Sequence, residues 1–196
     1  MKIIYAICSY LVGAIPFGYI IFFTREKKDI RNFGSQSIGA TNVLRLKGWS
    51  YAIPVALTDI LKGFLPVFLA LKFFPDKSFA LLCGFLAVLG HCFPVYIKFK
   101  GGKGVATTVG VYAVLAFKPL LLSMVLFLII VAITRYVSLG SILATMSYPL
   151  FLFLFKGDIE LIFLSLSIFF LVALRHKGNI ERLIKGKENK LGGRIG

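Results

Sequence analysis

Carboxylates are scarce in this chain: 196 residues hold only 8 Asp and Glu against 23 Lys and Arg, a formal net charge of +15. With no acidic cluster there is no ready ligand set for a divalent ion, which disfavours magnesium-dependent phosphotransferases of the acidic-motif kind. The three cysteines, Cys8, Cys83 and Cys92, lie in apolar runs without CxxC or Cys/His spacing. They read as small buried hydrophobes, and neither a disulfide nor a zinc site is implied. There is no Gly-x-Ser-x-Gly elbow and no cysteine beside a base to act as a nucleophile. Only two histidines occur, and neither begins a His-x4-Asp dyad; His176 and Glu181 have the spacing, with the other acid and in a tail. A soluble basic module is also missing, so the positive charge does not point to a nucleic-acid partner.

What is present is grease: 58% of the residues are hydrophobic and 20 are Phe. A soluble domain of this length could not hide that much apolar surface, so the solvent is a bilayer. Apolar segments fall at 3–23, 49–74, 79–97, 105–117, 120–133, 139–155 and 159–174. The first is too long for a signal-peptide core and reads as a retained span. The expectation is one all-α integral membrane domain over 1–196, with about seven transmembrane helices, or five if two short pieces are re-entrant. Basic residues set the orientation. Six lie in 24–48, three in 98–103, one at Arg135 and seven after residue 174, whereas the alternate loops carry only Lys2, Lys72, Lys77, Lys118 and Lys156. The N-terminus is therefore expected outside and the C-terminus in the cytoplasm.

The unusual sequence lies on the cytoplasmic side. "NFGSQSIGATNVLR", residues 32–45, sets Ser35, Ser37, Thr41 and Asn42 around Gly34 and Gly39 and then supplies Arg45. Hydroxyl and amide donors on a glycine-bent backbone can wrap an oxyanion, and Arg adds a planar fork for phosphate; a polar loop with a helix cap is the plainer reading. "KGGKGVATT", residues 100–108, brings Gly101, Gly102 and Gly104 around Lys103 at a helix start, where N–H groups can approach an anion closely. It is not a nucleotide-binding P-loop, because Ile97 and Gly104 stand where that motif requires Gly and Ser/Thr. In the tail, "RHKGNIERLIKGKENK" offers His176, Asn179 and Glu181, and could equally lie as a basic amphipathic end on anionic headgroups. Asp59 and Lys62, three apart in the second span, share a helix face and can pair. His91 reads as a hydrogen-bonded bundle residue.

Taken in order, "GSQSIGATNVLR", "TDILKG", "GHCFPVYIKFKGGKGVAT" and "HKGNIERLIKGKENK" resemble the bacterial acyl-phosphate-dependent glycerol-3-phosphate acyltransferases along the whole chain. Gln36-Ser37-Ile38 departs from the Gly-Asn type dipeptide frequent in the first motif. The resemblance implies transfer of a fatty acyl group from acyl phosphate to the sn-1 hydroxyl of glycerol 3-phosphate at an inner membrane, without metal or other cofactor. It also implies membrane lipids and the acyl-phosphate-forming enzyme as partners. It assigns Ser35, Arg45, Lys103, His176 and Asn179 to glycerol 3-phosphate. The donor phosphate falls to the backbone of Gly101, Gly102 and Gly104 with Thr41, Asn42 and Ser141; Ser37 and Glu181 are further substrate-binding candidates. The proton of the attacking hydroxyl goes to the donor phosphate, with His176 as the rival base. Two competing readings are a transporter for a phosphorylated metabolite and a lipid-binding regulator. One-sided polar loops speak against the first, and the dense Gly/Ser/Thr/Asn grouping against the second.

Overall fold

Proline and glycine mark several of the helix ends, although Pro54, Pro66 and Pro149 lie inside helices. The computed structural model describes residues 1–192, and among these ten α-helices form and no strand. Arg194, one of the basic residues of the tail, lies outside the described residues. Helices α1 (Lys2–Ala14) and α2 (Phe17–Glu26) are one apolar run broken at Ile15-Pro16, where proline lacks an N–H and Ile15 takes ψ 118°. A 3-10 turn at Ile30–Asn32 and α3 (Ala40–Lys47) occupy the first basic loop. Gly48, at φ +79°, ends α3 and admits α4 (Trp49–Phe73). Asp76 caps α5 (Lys77–Cys92) by accepting from the Phe79 N–H at 3.2 Å. Beyond the glycine loop come α6 (Val105–Leu115), α7 (Phe117–Thr134), α8 (Val137–Leu154), α9 (Ile159–Arg175) and α10 (Lys177–Ile184).

All seven apolar segments become helical. The spans Lys2–Glu26, Trp49–Phe73, Lys77–Ile97, Phe117–Thr134 and Val137–Leu154 are long and apolar enough to cross a bilayer. A sixth exists only if α9 and α10 count together across their 64° bend, and α6, apolar but for Thr107, Thr108 and the Tyr112 hydroxyl, has 11 residues.

The chain packs as two compact units, Met1–Val111 and the part from Tyr112 onward. In the first, α5 packs on α1 and α4, and α3 packs on α4. Glycines permit the tightest crossings: a Cβ at Gly63 would collide with the Thr107 carbonyl, and one at Gly110 with the Ile60 carbonyl, so α4 and the start of α6 touch backbone to backbone. The first polar loop is seated by its own apolar cluster, Phe22, Ile30, Ile38, Val43, Ala52, Val55 and Ile97. In the second unit α8 packs between α7 and α9, and α10 lies against α8 and α9. Tyr148 is fully buried, stacked on Tyr112 at 3.6 Å, with its hydroxyl donating to the Ala116 carbonyl. Leu121, Val125, Leu128 and Ile133 on α7 stay exposed, as a lipid-facing surface should.

Candidate functional site

In the first unit, Asn42 organises the loop that precedes α3. It is 1% exposed; its Oδ1 accepts from the Ser35 N–H at 2.9 Å, and its Nδ2 donates to the carbonyls of Phe33 (3.1 Å) and Ser37 (2.8 Å). The amide is thus committed to holding the backbone over Gly34 and Gln36, both in the left-handed region. Ser37 accepts from the Gly39 N–H at 3.2 Å and so shapes the turn into the helix. Ser35 and Thr41 are half-buried, and their hydroxyls make no hydrogen bond among the described residues. Thr41 and Arg45 are four apart on α3 and share a face, presenting a hydroxyl and a guanidinium together.

Arg31, read from sequence only as a topology charge, ties this loop to the next. It grips Asp29 through Nε (3.0 Å) and Nη2 (2.7 Å), and its Nη1 donates to the Ile97 carbonyl at 3.2 Å. The guanidinium hydrogen bond holds the Asp29 carboxyl below the usual carboxylate range and raises Arg31 in turn. Ile97 leads directly into Lys98 and Phe99, both at positive φ, and then into the glycine loop.

That loop is built tightly against the end of α5. The Gly102 N–H donates to the His91 carbonyl at 3.1 Å, so Gly102 contributes shape rather than a donor to any anion. A Cβ at Gly101 would strike the His91 carbonyl and Pro94, and one at Gly102 would strike His91 Nε2. Gly104, at φ +86°, starts α6 by accepting from the Thr108 N–H at 2.8 Å, and Lys103 is half-buried between. Thr107 and Thr108, passed over in the sequence, are buried in the first turns of α6 with hydroxyls unpaired among the described residues. Beneath the loop, Asp59 and Lys62 pair at 2.8 Å, each 2% exposed, as their spacing allows. His91 joins them, its Nδ1 3.5 Å from the same Asp59 oxygen, and Lys62 also donates to the Ile15 carbonyl at 2.9 Å.

In the second unit the tail folds back on its own helices. His176 is 2% exposed at the α9–α10 bend, with Nδ1 2.8 Å from the Val172 carbonyl. A carbonyl only accepts, so Nδ1 carries the hydrogen and the lone pair of the neutral ring lies on Nε2. Asn179 is buried and donates to Glu188 at 2.7 Å; Glu188 also accepts from Ser138 (2.9 Å) and Arg182 (2.8 Å). Burial pushes the Glu188 carboxyl upward, but these three donors outweigh it and hold it below the ordinary glutamate range. Glu181, the acid singled out by spacing, is exposed; the carboxylate that Asn179 meets is Glu188, which no local spacing marks. The Ser141 hydroxyl donates to the Val137 carbonyl of its own helix at 2.8 Å, so its hydrogen is not offered to an anion here. Arg135 holds the end of the tail, donating to the Leu191 carbonyl at 2.8 Å and accepting from its N–H at 2.7 Å.

Known proteins place this arrangement. The family model described as glycerol-3-phosphate acyltransferase matches residues 3–186. A glycerol-3-phosphate acyltransferase of Endomicrobium trichonymphae is 42% identical over 191 residues, covering 97% of this chain and 96% of its own. Glycerol-3-phosphate acyltransferase 2 of Thermotoga maritima is 41% identical, covering 96% and 95%. Among solved structures, PlsY (YgiH), an integral membrane glycerol 3-phosphate acyltransferase, superposes in its glycerol 3-phosphate form with a TM-score of 0.93 at 42% identity, covering 97% of this chain and 96% of that one. Its lysophosphatidic acid form gives 0.89 at 40% identity, covering 97% and 95%. With nearly every residue aligned and the helices superposed, the chain belongs to the glycerol-3-phosphate acyltransferase family.

Proposed function

We propose that this chain transfers a fatty acyl group from an acyl phosphate to the sn-1 hydroxyl of glycerol 3-phosphate, giving lysophosphatidic acid and inorganic phosphate, at the cytoplasmic face of a bacterial inner membrane. The observation that carries this reading is Arg31, which fastens the Ser35/Thr41/Arg45 loop to the segment opening the lysine-glycine loop. On this reading the hydroxyl donors and cations of the two loops share one end of the first unit, and the Arg31 bridge supports it. Such a surface suits phosphate-bearing reactants, whose mutual repulsion needs screening before they can meet.

Ser35, Arg45 and Lys103 hold glycerol 3-phosphate on this reading, and the resemblance assigns His176 and Asn179 to the same substrate. Thr41 and the glycine-loop backbone at Gly101 and Gly104, shaped by Gly102, hold the donor phosphate. The sn-1 oxygen attacks the acyl carbonyl carbon, Lys103 and nearby N–H groups stabilise the oxyanion, and the carbon–oxygen bond to phosphate breaks. The hydroxyl proton passes to the departing phosphate, so no protein base is required. Positioning then supplies most of the acceleration, up to roughly 7–11 kcal/mol of barrier for well-oriented reactants.

The test is a two-substrate assay on the purified protein with palmitoyl phosphate and glycerol 3-phosphate, scored for lysophosphatidic acid and free phosphate. Both products should appear only when both substrates are present. Phosphate from palmitoyl phosphate alone would make the protein a hydrolase, and equal turnover with a palmitoyl thioester would remove the donor assignment. Uptake of glycerol 3-phosphate into vesicles without chemistry would mark a transporter.

A further inference from the structure

We propose that His91, facing the Asp59 end of the buried Asp59–Lys62 pair, is a positioning residue that fixes the height and shape of the glycine loop for the acyl donor. Three independent contacts converge on this residue. Its carbonyl accepts the Gly102 N–H at 3.1 Å. Its Nε2 lies where a Cβ of Gly102 would fall, and the three nearest atoms to that point all belong to the His91 ring. Its Nδ1 faces Asp59 at 3.5 Å, and Asp59 is anchored in turn by Lys62 at 2.8 Å, which also donates to the Ile15 carbonyl. The imidazole is therefore a spacer between a buried ion pair and the loop backbone, filling the place where any residue but glycine would carry its side chain.

Buried ion pairs are costly to desolvate, and a hydrophobic pair would pack α4 at less expense. The arrangement earns its place if the carboxylate sets the ring and the ring sets the loop. A rigid support matters here because the glycines that let the loop approach an anion also leave it free to relax away from it. Displacing the ring should loosen the grip on the donor and leave glycerol 3-phosphate binding in place. The proposal rests on the reading that the glycine loop holds the donor phosphate.

The test is a bump-and-hole cycle on the full-length protein in detergent, with variants Gly102→Ala, His91→Ala and the double variant. Each is measured for KM toward palmitoyl phosphate, KM toward glycerol 3-phosphate, kcat and thermal midpoint. Each single substitution should raise the donor KM about tenfold and move the acceptor KM by less than about twofold. The double variant should recover most of the loss of Gly102→Ala, because the hole accepts the new methyl group. If Gly102→Ala leaves the donor KM and kcat unchanged, the loop does not hold the donor, and both the loop reading and the proposal fall. If Gly102→Ala is impaired but the double variant shows simple multiplication of the two losses, the loop reading stands and the role of His91 is refuted. Should His91→Ala not accumulate as folded protein, His91→Asn carries the same comparison, since it keeps a polar atom toward Asp59 while withdrawing from Gly102.

Discussion

At the scale of single residues, side chains of one polar loop divide between those that hold the loop and those the proposed reading assigns to substrate. Asn42 spends both ends of its amide on three backbone groups of residues 33–37. Asn42→Ala would leave a buried N–H and two carbonyls unsatisfied, at a cost of about 2 kcal/mol, read as a drop of several degrees in thermal midpoint. Asn42→Asp should be no better, because a second carboxylate oxygen cannot donate to the Phe33 and Ser37 carbonyls. Ser35→Ala removes a hydroxyl without a partner among the described residues. It should leave the midpoint in place and lower kcat/KM for glycerol 3-phosphate about tenfold or more. His176 separates the two proton routes: with Nδ1–H bound to the Val172 carbonyl, Nε2 can accept either a substrate hydrogen or a proton. His176→Gln should keep substantial kcat with a raised KM for glycerol 3-phosphate; a large kcat loss at unchanged KM would make the histidine the base instead.

At the scale of elements, Glu188 fastens the tail that follows α10 to the helices beneath it, and it does so as an anion. Its folded pKa lies below that of the unfolded chain, so its contribution is present above the ordinary glutamate range and is lost as pH falls through the folded value. Thermal midpoints should decline on that acid side, and Glu188→Gln should start lower near neutrality and decline less. Glu188→Ala strands Asn179, Ser138 and Arg182 and should cost about 2–3 kcal/mol. The elements themselves were legible: apolar runs gave every helix long enough to cross a bilayer, and Pro16, Gly48 and Gly104 stood at helix ends. The Asp59–Lys62 pair was legible too, because a spacing of three fixes a helix face. His91 was not seen as its third member, since it comes from another helix. Nor could Glu188 be preferred to Glu181, since that choice depends on the tail turning back at Arg135 and Leu191. Gly102 was read as a donor to phosphate, whereas its N–H is spent on His91, an outcome set by where α5 ends.

At the scale of the whole molecule, chain length and charge make opposite demands on α6. Eleven residues rise only about 16 Å, roughly half of a bilayer core, which favours a helix that enters without crossing. The distribution of lysine and arginine demands the reverse. If α6 does not cross, Arg135 and the basic tail fall outside while Lys118 and Lys156 fall inside, against the bias that orients membrane proteins. The close crossing at Gly63 and Gly110 lets α6 lie against α4 with no lipid between, so a short helix can traverse where protein rather than acyl chain surrounds its ends. The charge argument should therefore win, giving seven crossings. In a background lacking Cys8, Cys83 and Cys92, single cysteines at the exposed positions Lys28, Lys118, Lys156 and Lys177 can be labelled with a membrane-impermeant maleimide. Lys118→Cys and Lys156→Cys should react in intact spheroplasts, and Lys28→Cys and Lys177→Cys only in inverted vesicles. Labelling of Lys118→Cys solely from the inside would make α6 re-entrant. It would put the segment with His176 and Asn179 across the membrane from soluble glycerol 3-phosphate, which removes their proposed role along with the topology.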